Sequence, residues 1–236
     1  MEEKLSGIVL GGVSYGESDK ILNIFTLEKG IVSAKIKGVK KAGAKLKFAS
    51  EPFCFVEFVF STTGNRRTIT GASLIESFYP LREDVVKYFA GGTVLEFIKK
   101  FIKENIVSTE LFMLTIKTLK ELCYADEEPI ALLCRFLIFA LSYSGYALNL
   151  KACSCCGGEI KGRTYFDYNN GGFYCEECFE GQGREINPST LDGLIKISKG
   201  ESVGEKPIKP LKLLDYYLST KAEENLNSLK ELIRIL

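Results

Sequence analysis

Residues 31–41 read IVSAKIKGVKK. Val32, Ala34, Ile36 and Gly38 interleave with Ser33, Lys35, Lys37 and Val39. A period of two puts alternate side chains on opposite faces of a strand, so the apolar residues share one face and the lysines the other. Working outward, Ser6–Val13 and Ile21–Leu27 are rich in Ile, Val, Leu and Phe, and Lys29-Gly30 marks a turn between strands. Downstream, Pro52–Phe60 carries Phe53, Phe55, Phe58 and Phe60; Thr62-Thr63-Gly64-Asn65 signals a turn; and Arg67–Leu74 is a further strand candidate. Five short strands before Pro80 predict a small barrel, and the five-stranded OB-fold is the architecture that fits.

The pattern changes at Tyr79-Pro80. Val85–Glu104 has apolar residues at Val85, Phe89, Val94, Leu95, Ile98, Phe101 and Ile102, mostly three or four apart. That is helical spacing, and Thr109–Leu122 repeats it. Glu128-Pro129 opens a third helix running to Ser144-Gly145, with the proline in the first turn, where its missing N–H costs nothing. Two more helices are expected at Pro188–Lys199 and Pro210–Leu236. The fold class read from this is α+β and multi-domain. A five-stranded OB-fold barrel (1–79) is followed by an all-α domain (80–150 and 183–236) with an embedded four-cysteine zinc ribbon (151–182).

The zinc expectation rests on spacing. Cys153-x-x-Cys156 and Cys175-x-x-Cys178 are separated by 18 intervening residues. A two-residue gap lets a tight turn aim two thiolates at one ion, and a hairpin can bring two such turns together. Gly157 suits the first turn, and Gly162, Gly171 and Gly172 suit the intervening ones. Cys155 is a spectator on this reading, with Cys153-x-Cys155 as a rival pairing. Free buried thiols, a redox C-x-x-C pair and an iron–sulfur site are weaker alternatives. Four sulfurs leave no open position, so one structural Zn2+ is expected rather than a catalytic one.

Net charge is +1, so no global field attracts a polyanion. Residues 33–67 nevertheless hold Lys35, Lys37, Lys40, Lys41, Lys45, Lys47, Arg66 and Arg67 against only Glu51 and Glu57, a local net of +6. These eight are the DNA-binding candidates. Tyr15, Phe53 and Phe55 are candidate stacking residues, although alternating phenylalanines on a strand ordinarily pack inward. The chain has no histidine, no phosphate-binding loop and no dinucleotide fingerprint, so the residues predict no catalytic site and no enzyme. Glu17 and Asp19 read as turn or cap residues. The acidic start MEEKLSGIVLGG suggests no secretory signal. The longest apolar run, Ile130–Ser142, is too short to span a bilayer, and Arg135 interrupts it. Membrane association is therefore not expected.

Gly16-Glu17-Ser18-Asp19, Phe25-Thr26…Gly30, Lys37-Gly38…Lys40-Lys41 and Pro52-Phe53, in that order and followed by the paired cysteines, resemble the bacterial RecO family of recombination mediators. The resemblance spans essentially the whole chain, with Cys155 inside the first cysteine pair as a departure. It implies an N-terminal OB-fold, a helical domain and a zinc element. It also implies binding of single- and double-stranded DNA, annealing of complementary strands, and a complex with RecR. The implied task is loading of RecA onto DNA coated by the single-strand binding protein SSB, in the cytoplasm at the nucleoid. Carried over by position, the DNA contacts are Lys35, Lys37, Lys40, Lys41, Arg66 and Arg67. Two rivals stand beside it: an RNA-binding or transcription-associated zinc-ribbon protein, and a scaffold whose barrel docks another protein.

Overall fold

The computed structural model describes residues 2–64, 66–181 and 183–236; Asn65 of the expected turn lies outside them. Strands β1 (Glu2–Tyr15), β2 (Asp19–Thr26), β3 (Gly30–Ile36), β4 (Phe55–Thr63) and β5 (Arg66–Glu76) close a barrel in the order β1-β2-β3-β5-β4. This is the five-stranded OB-fold read from the sequence. The long β1 makes closure work: its first half pairs with β4 and its second half with β2. A bulge between Val9 and Gly11 bends the strand between the two partners. Gly11 sits at φ +135 there, a conformation that residues with a Cβ rarely adopt. The last seam is a short parallel one, Lys35 opposite Thr68 and Ile36 opposite Ile69.

The period of two holds as far as Ile36, the end of β3. Val32, Ala34 and Ile36 are buried with Leu22, Ile24, Val56, Phe58, Phe60 and Ile69 in the barrel core, while Ser33 and Lys35 face outward. Beyond Ile36 the period fails: Gly38 turns the chain at φ +66, and Val39, which the period groups with the lysines, points into the core. Val39 and Ala49 are buried in the same core, and Leu46 and Phe48 pack against it. Those apolar anchors hold a loop whose lysines stay in water.

The chain divides into two compact units: Met1–Glu83 with Leu95–Cys123, and Asp84–Val94 with Tyr124–Leu236. The expected domain boundary followed residue 79. The grouping differs because part of the helical region packs on the barrel. Helix α1 (Val85–Phe101) runs through both units, and α2 (Thr109–Tyr124) belongs almost wholly to the first. Phe112 of α2 is buried with its ring centroid 5.4 Å from Phe25 and 6.0 Å from Phe55, both edge-on. The Asn105 amide donates to the Ile31 carbonyl at 3.0 Å. Gly30, at φ +65, comes so close to the Ile106 backbone that a Cβ would collide with it.

In the second unit α3 (Pro129–Tyr143) is buried along most of its length and packs against α4 (Pro188–Lys199) and α5 (Ile208–Lys221). Glu128 caps α3 by accepting from the Ile130 amide, and Asn187 caps α4 by accepting from the Ser189 amide. Arg135 meets Glu127 through two 3.0 Å hydrogen bonds, which is how a cation is tolerated on this apolar helix. The expected Pro210–Leu236 helix is two helices, α5 and α6 (Asn227–Ile235). Ala222 and Asn225 stand where a continuous stripe would need large apolar residues, and Glu223 adopts φ +53. A three-stranded sheet of β6 (Thr164–Asp167), β7 (Gly172–Cys175) and β8 (Arg184–Ile186), in the order β7-β6-β8, carries the cysteines. Among the described residues no helix is long and apolar enough to cross a membrane.

Candidate nucleic-acid interface and metal centre

Lys35, the start of the lysine loop and the two arginines meet at the tip of the β1–β2 hairpin. Asp19, at the start of β2, organises them. One carboxylate oxygen lies 2.8 Å from the Lys35 ammonium, and the other accepts from the Gly38 amide at 2.8 Å. The Lys40 amide donates to the Ser18 carbonyl at 2.9 Å. The Lys35 side chain, then the Gly38 amide, hold the Asp19 carboxyl down at about 2, well below its ordinary 3.8. Asp19 thus ties the hairpin turn to the lysine loop, a role beyond the turn or cap read from the sequence. Nothing in the local pattern could assign it, because its partners lie 16 and 19 residues away.

Lys37, Lys40, Lys41, Lys45 and Lys47 are exposed along this loop. Successive turns shape it, with Lys41 donating to the Gly38 carbonyl, Ala44 to Lys41 and Lys47 to Ala44 at 3.1–3.2 Å. Among the described residues none of the five ammonium groups has a carboxylate within ion-pairing distance. Arg66 and Arg67, at the start of β5, also have none there. The parallel seam puts Arg67 beside Thr68, opposite Lys35, so both arginines line one cleft with Lys35 and Tyr15. Lys35 differs from the rest: it is half-buried, paired with Asp19, and its ammonium lies 4.5 Å from the centre of the Tyr15 ring. Of the three aromatic candidates, Phe53 is buried and Phe55 packs edge-on against Phe112, whereas Tyr15 remains 52% exposed.

The four cysteines are brought together by the β6–β7 hairpin. Cys175 ends β7, and a single 3-10 turn carries the chain to Cys178. The first pair docks onto this hairpin through Ser154, whose amide donates to the Phe173 carbonyl at 2.8 Å. The Gly157 amide donates to the Cys153 carbonyl, the Cys153 amide to the Gly158 carbonyl, and the Gly158 amide to the Cys156 sulfur at 3.4 Å. That is a knuckle, and Gly157 adopts φ +70 within it. The Sγ atoms of Cys153, Cys156, Cys175 and Cys178 all lie within 4.8 Å of one another. Four thiolates at about 2.3 Å from a tetrahedral ion lie roughly 3.8 Å apart, so this group fits a metal ion. Cys155 is exposed and not part of the group, which puts Cys156 rather than Cys155 beside Cys153. Burial opposes ionisation of Cys153, but hydrogen bonds from the Cys175, Cys156 and Cys155 amides outweigh it and bring the thiol down to about 6. Cys178 is pushed up, chiefly by hydrogen bonds with the Cys175 and Cys156 thiols. Four sulfurs so close cannot all ionise without a cation between them. Behind the cluster Tyr165 stacks on Phe179 with centroids 3.8 Å apart, a small core of the element's own.

Family models account for nearly the whole chain: Recombination protein O N terminal over residues 1–78, and Recombination protein O C terminal over residues 82–230. The chain belongs to the RecO family. Among its relatives is the DNA repair protein RecO of Acetivibrio thermocellus, 32% identical over 197 residues, which cover 84% of this chain and 75% of that one. The DNA repair protein RecO of Caldicellulosiruptor saccharolyticus is 31% identical over 219 residues, covering 92% and 88%. That of Myxococcus xanthus is 31% identical over 197 residues, covering 82% and 80%. In this RecO chain the first model's bounds match the barrel strands, and the cysteine cluster falls inside the second.

Proposed function

We propose that this chain is a non-enzymatic mediator of DNA repair and homologous recombination. It binds single- and double-stranded DNA, anneals complementary strands, and with RecR helps load RecA onto single strands coated by SSB. What carries the DNA reading is the lysine loop: five exposed ammonium groups on a segment pinned by its own apolar residues, with no carboxylate of the described residues to neutralise them. Such groups release counterions when they meet phosphates, and affinity then falls steeply with salt. Annealing needs no bond making; it needs two polyanions brought close while their repulsion is screened. RecR, SSB and RecA enter through membership of the family, as does work at the nucleoid in the cytoplasm.

Zinc is the metal that best suits four closely spaced sulfurs, and it would serve structurally. Held by Cys153, Cys156, Cys175 and Cys178, it would join two knuckles that otherwise share a small aromatic core and the Ser154–Phe173 backbone hydrogen bond.

The test is a titration of labelled single-stranded and duplex DNA at several salt concentrations. Lys37→Glu, Lys40→Glu and Lys41→Glu combined should weaken binding at least tenfold at low salt and flatten the slope of log affinity against log salt. Unchanged affinity at fixed salt rejects the assignment of this loop.

A further inference from the structure

The cleft lined by Tyr15, Ser33, Lys35, Arg66, Arg67 and Thr68 has a volume of about 390 Å3, near the lower end of the roughly 300–1,000 Å3 usual for small-ligand sites. It is separate in kind from the lysine loop. The loop offers charge alone, whereas the cleft combines charge with an open aromatic face. Three observations converge there. Tyr15 ends β1 with 52% of its surface exposed, although nothing in the barrel core requires an aromatic at that place. Its ring is held from one side, because Lys35 lies 4.5 Å from the ring centre and is itself fixed by Asp19 at 2.8 Å. The two arginines at the start of β5 line the same cleft, and among the described residues neither has an acidic partner.

We infer that this cleft is a subsite for one unpaired nucleotide, its base stacked on Tyr15 and its phosphate met by Arg66 and Arg67. The inference rests on the DNA-binding reading above and adds strand selection to it. A base inside a duplex has both faces covered by its neighbours and cannot reach a single ring without being flipped out. A base in a single strand can swing onto the ring at small cost. The cleft therefore favours single strands, while the lysine loop, which meets only phosphates, serves single strands and duplexes alike. Lys35 acts here as a positioning residue: its ammonium is engaged by Asp19, and it orders the ring rather than adding a free charge. Stacking takes any base, so no sequence preference is expected.

The test uses the full chain and three fluorescent probes of equal length at one salt concentration: a thymidine oligonucleotide, the same sugar–phosphate strand lacking bases, and a duplex. Tyr15→Ala should weaken binding of the thymidine strand about tenfold, the scale of one lost stacking contact. Its affinity for the baseless strand and the duplex should stay within twofold, and Tyr15→Phe should match the parent on all three probes. If Tyr15→Ala binds thymidine as tightly as the parent, or weakens all three probes equally, the subsite is refuted while DNA binding stands. If the parent chain binds none of the probes, the DNA-binding reading falls and the subsite with it.

Discussion

Asp19 shows how much one carboxylate can arrange. It faces an ammonium, a glycine amide and the Ser18 hydroxyl, which donates to it at 3.2 Å, and so joins a hairpin turn to a loop far along the chain. Its pKa is lowered in the folded chain, so its contribution to stability is complete above its ordinary 3.8 and is lost as pH falls toward about 2. Asp19→Ala should therefore lower the thermal midpoint at neutral pH and speed hydrogen exchange at the Gly38 amide. The midpoint gap between variant and parent should narrow as the pH drops from about 4 to about 2. Melting curves at several pH values check this, and a gap that is constant with pH would show that Asp19 acts in some other way. The cysteines divide equally sharply. Cys156→Ser should remove bound metal and lower the thermal midpoint, as should Cys175→Ser, whereas Cys155→Ser should leave the metal content of purified protein unchanged. Equal loss from Cys155→Ser would restore the rival pairing of Cys153 with Cys155.

At the scale of elements, α2 is part of the barrel's own support. Phe112 inserts between Phe25 and Phe55, and removing its ring by Phe112→Ala should cost about 3–5 kcal/mol in urea unfolding. The same packing predicts that a segment ending at residue 79 is less soluble than one ending at residue 123. The shorter piece would expose Phe25, which is fully buried in the intact chain, and would lose the Asn105 bond to the edge of β3. Comparing soluble yields of the two pieces is a direct check. Helical spacing marked α2 as a helix in the sequence. It could not say which partner that helix covers, because an amphipathic stripe records only that some apolar surface faces it.

Across the whole molecule charge is sorted. The barrel carries the lysine loop and two arginines that have no acidic partner among the described residues, while the cysteine element over residues 151–182 has Lys151, Lys161 and Arg163 against Glu159, Asp167, Glu176, Glu177 and Glu180, before any charge on the thiolates. Lys161 pairs with Glu159 at 3.0 Å and Arg163 with Glu176 at 3.4 Å. Lys161→Glu with Arg163→Glu should consequently leave DNA affinity within about twofold, in contrast to the lysine-loop substitutions, because those cations are already neutralised. A drop as large as that from the loop would place the metal element on the DNA. The strand period at 31–36, the inward-facing Phe58 and Phe60 and the two cysteine pairs were legible from residue order, since each depends on neighbours within a few positions. Barrel closure, the meeting of Asp19 with Lys35 and Gly38, the approach of Arg66 and Arg67 to Tyr15, and the assignment of α2 to the barrel were not. Each joins segments distant in the chain, and which distant surfaces meet is set by the complementarity of the whole buried core, a quantity no local pattern carries.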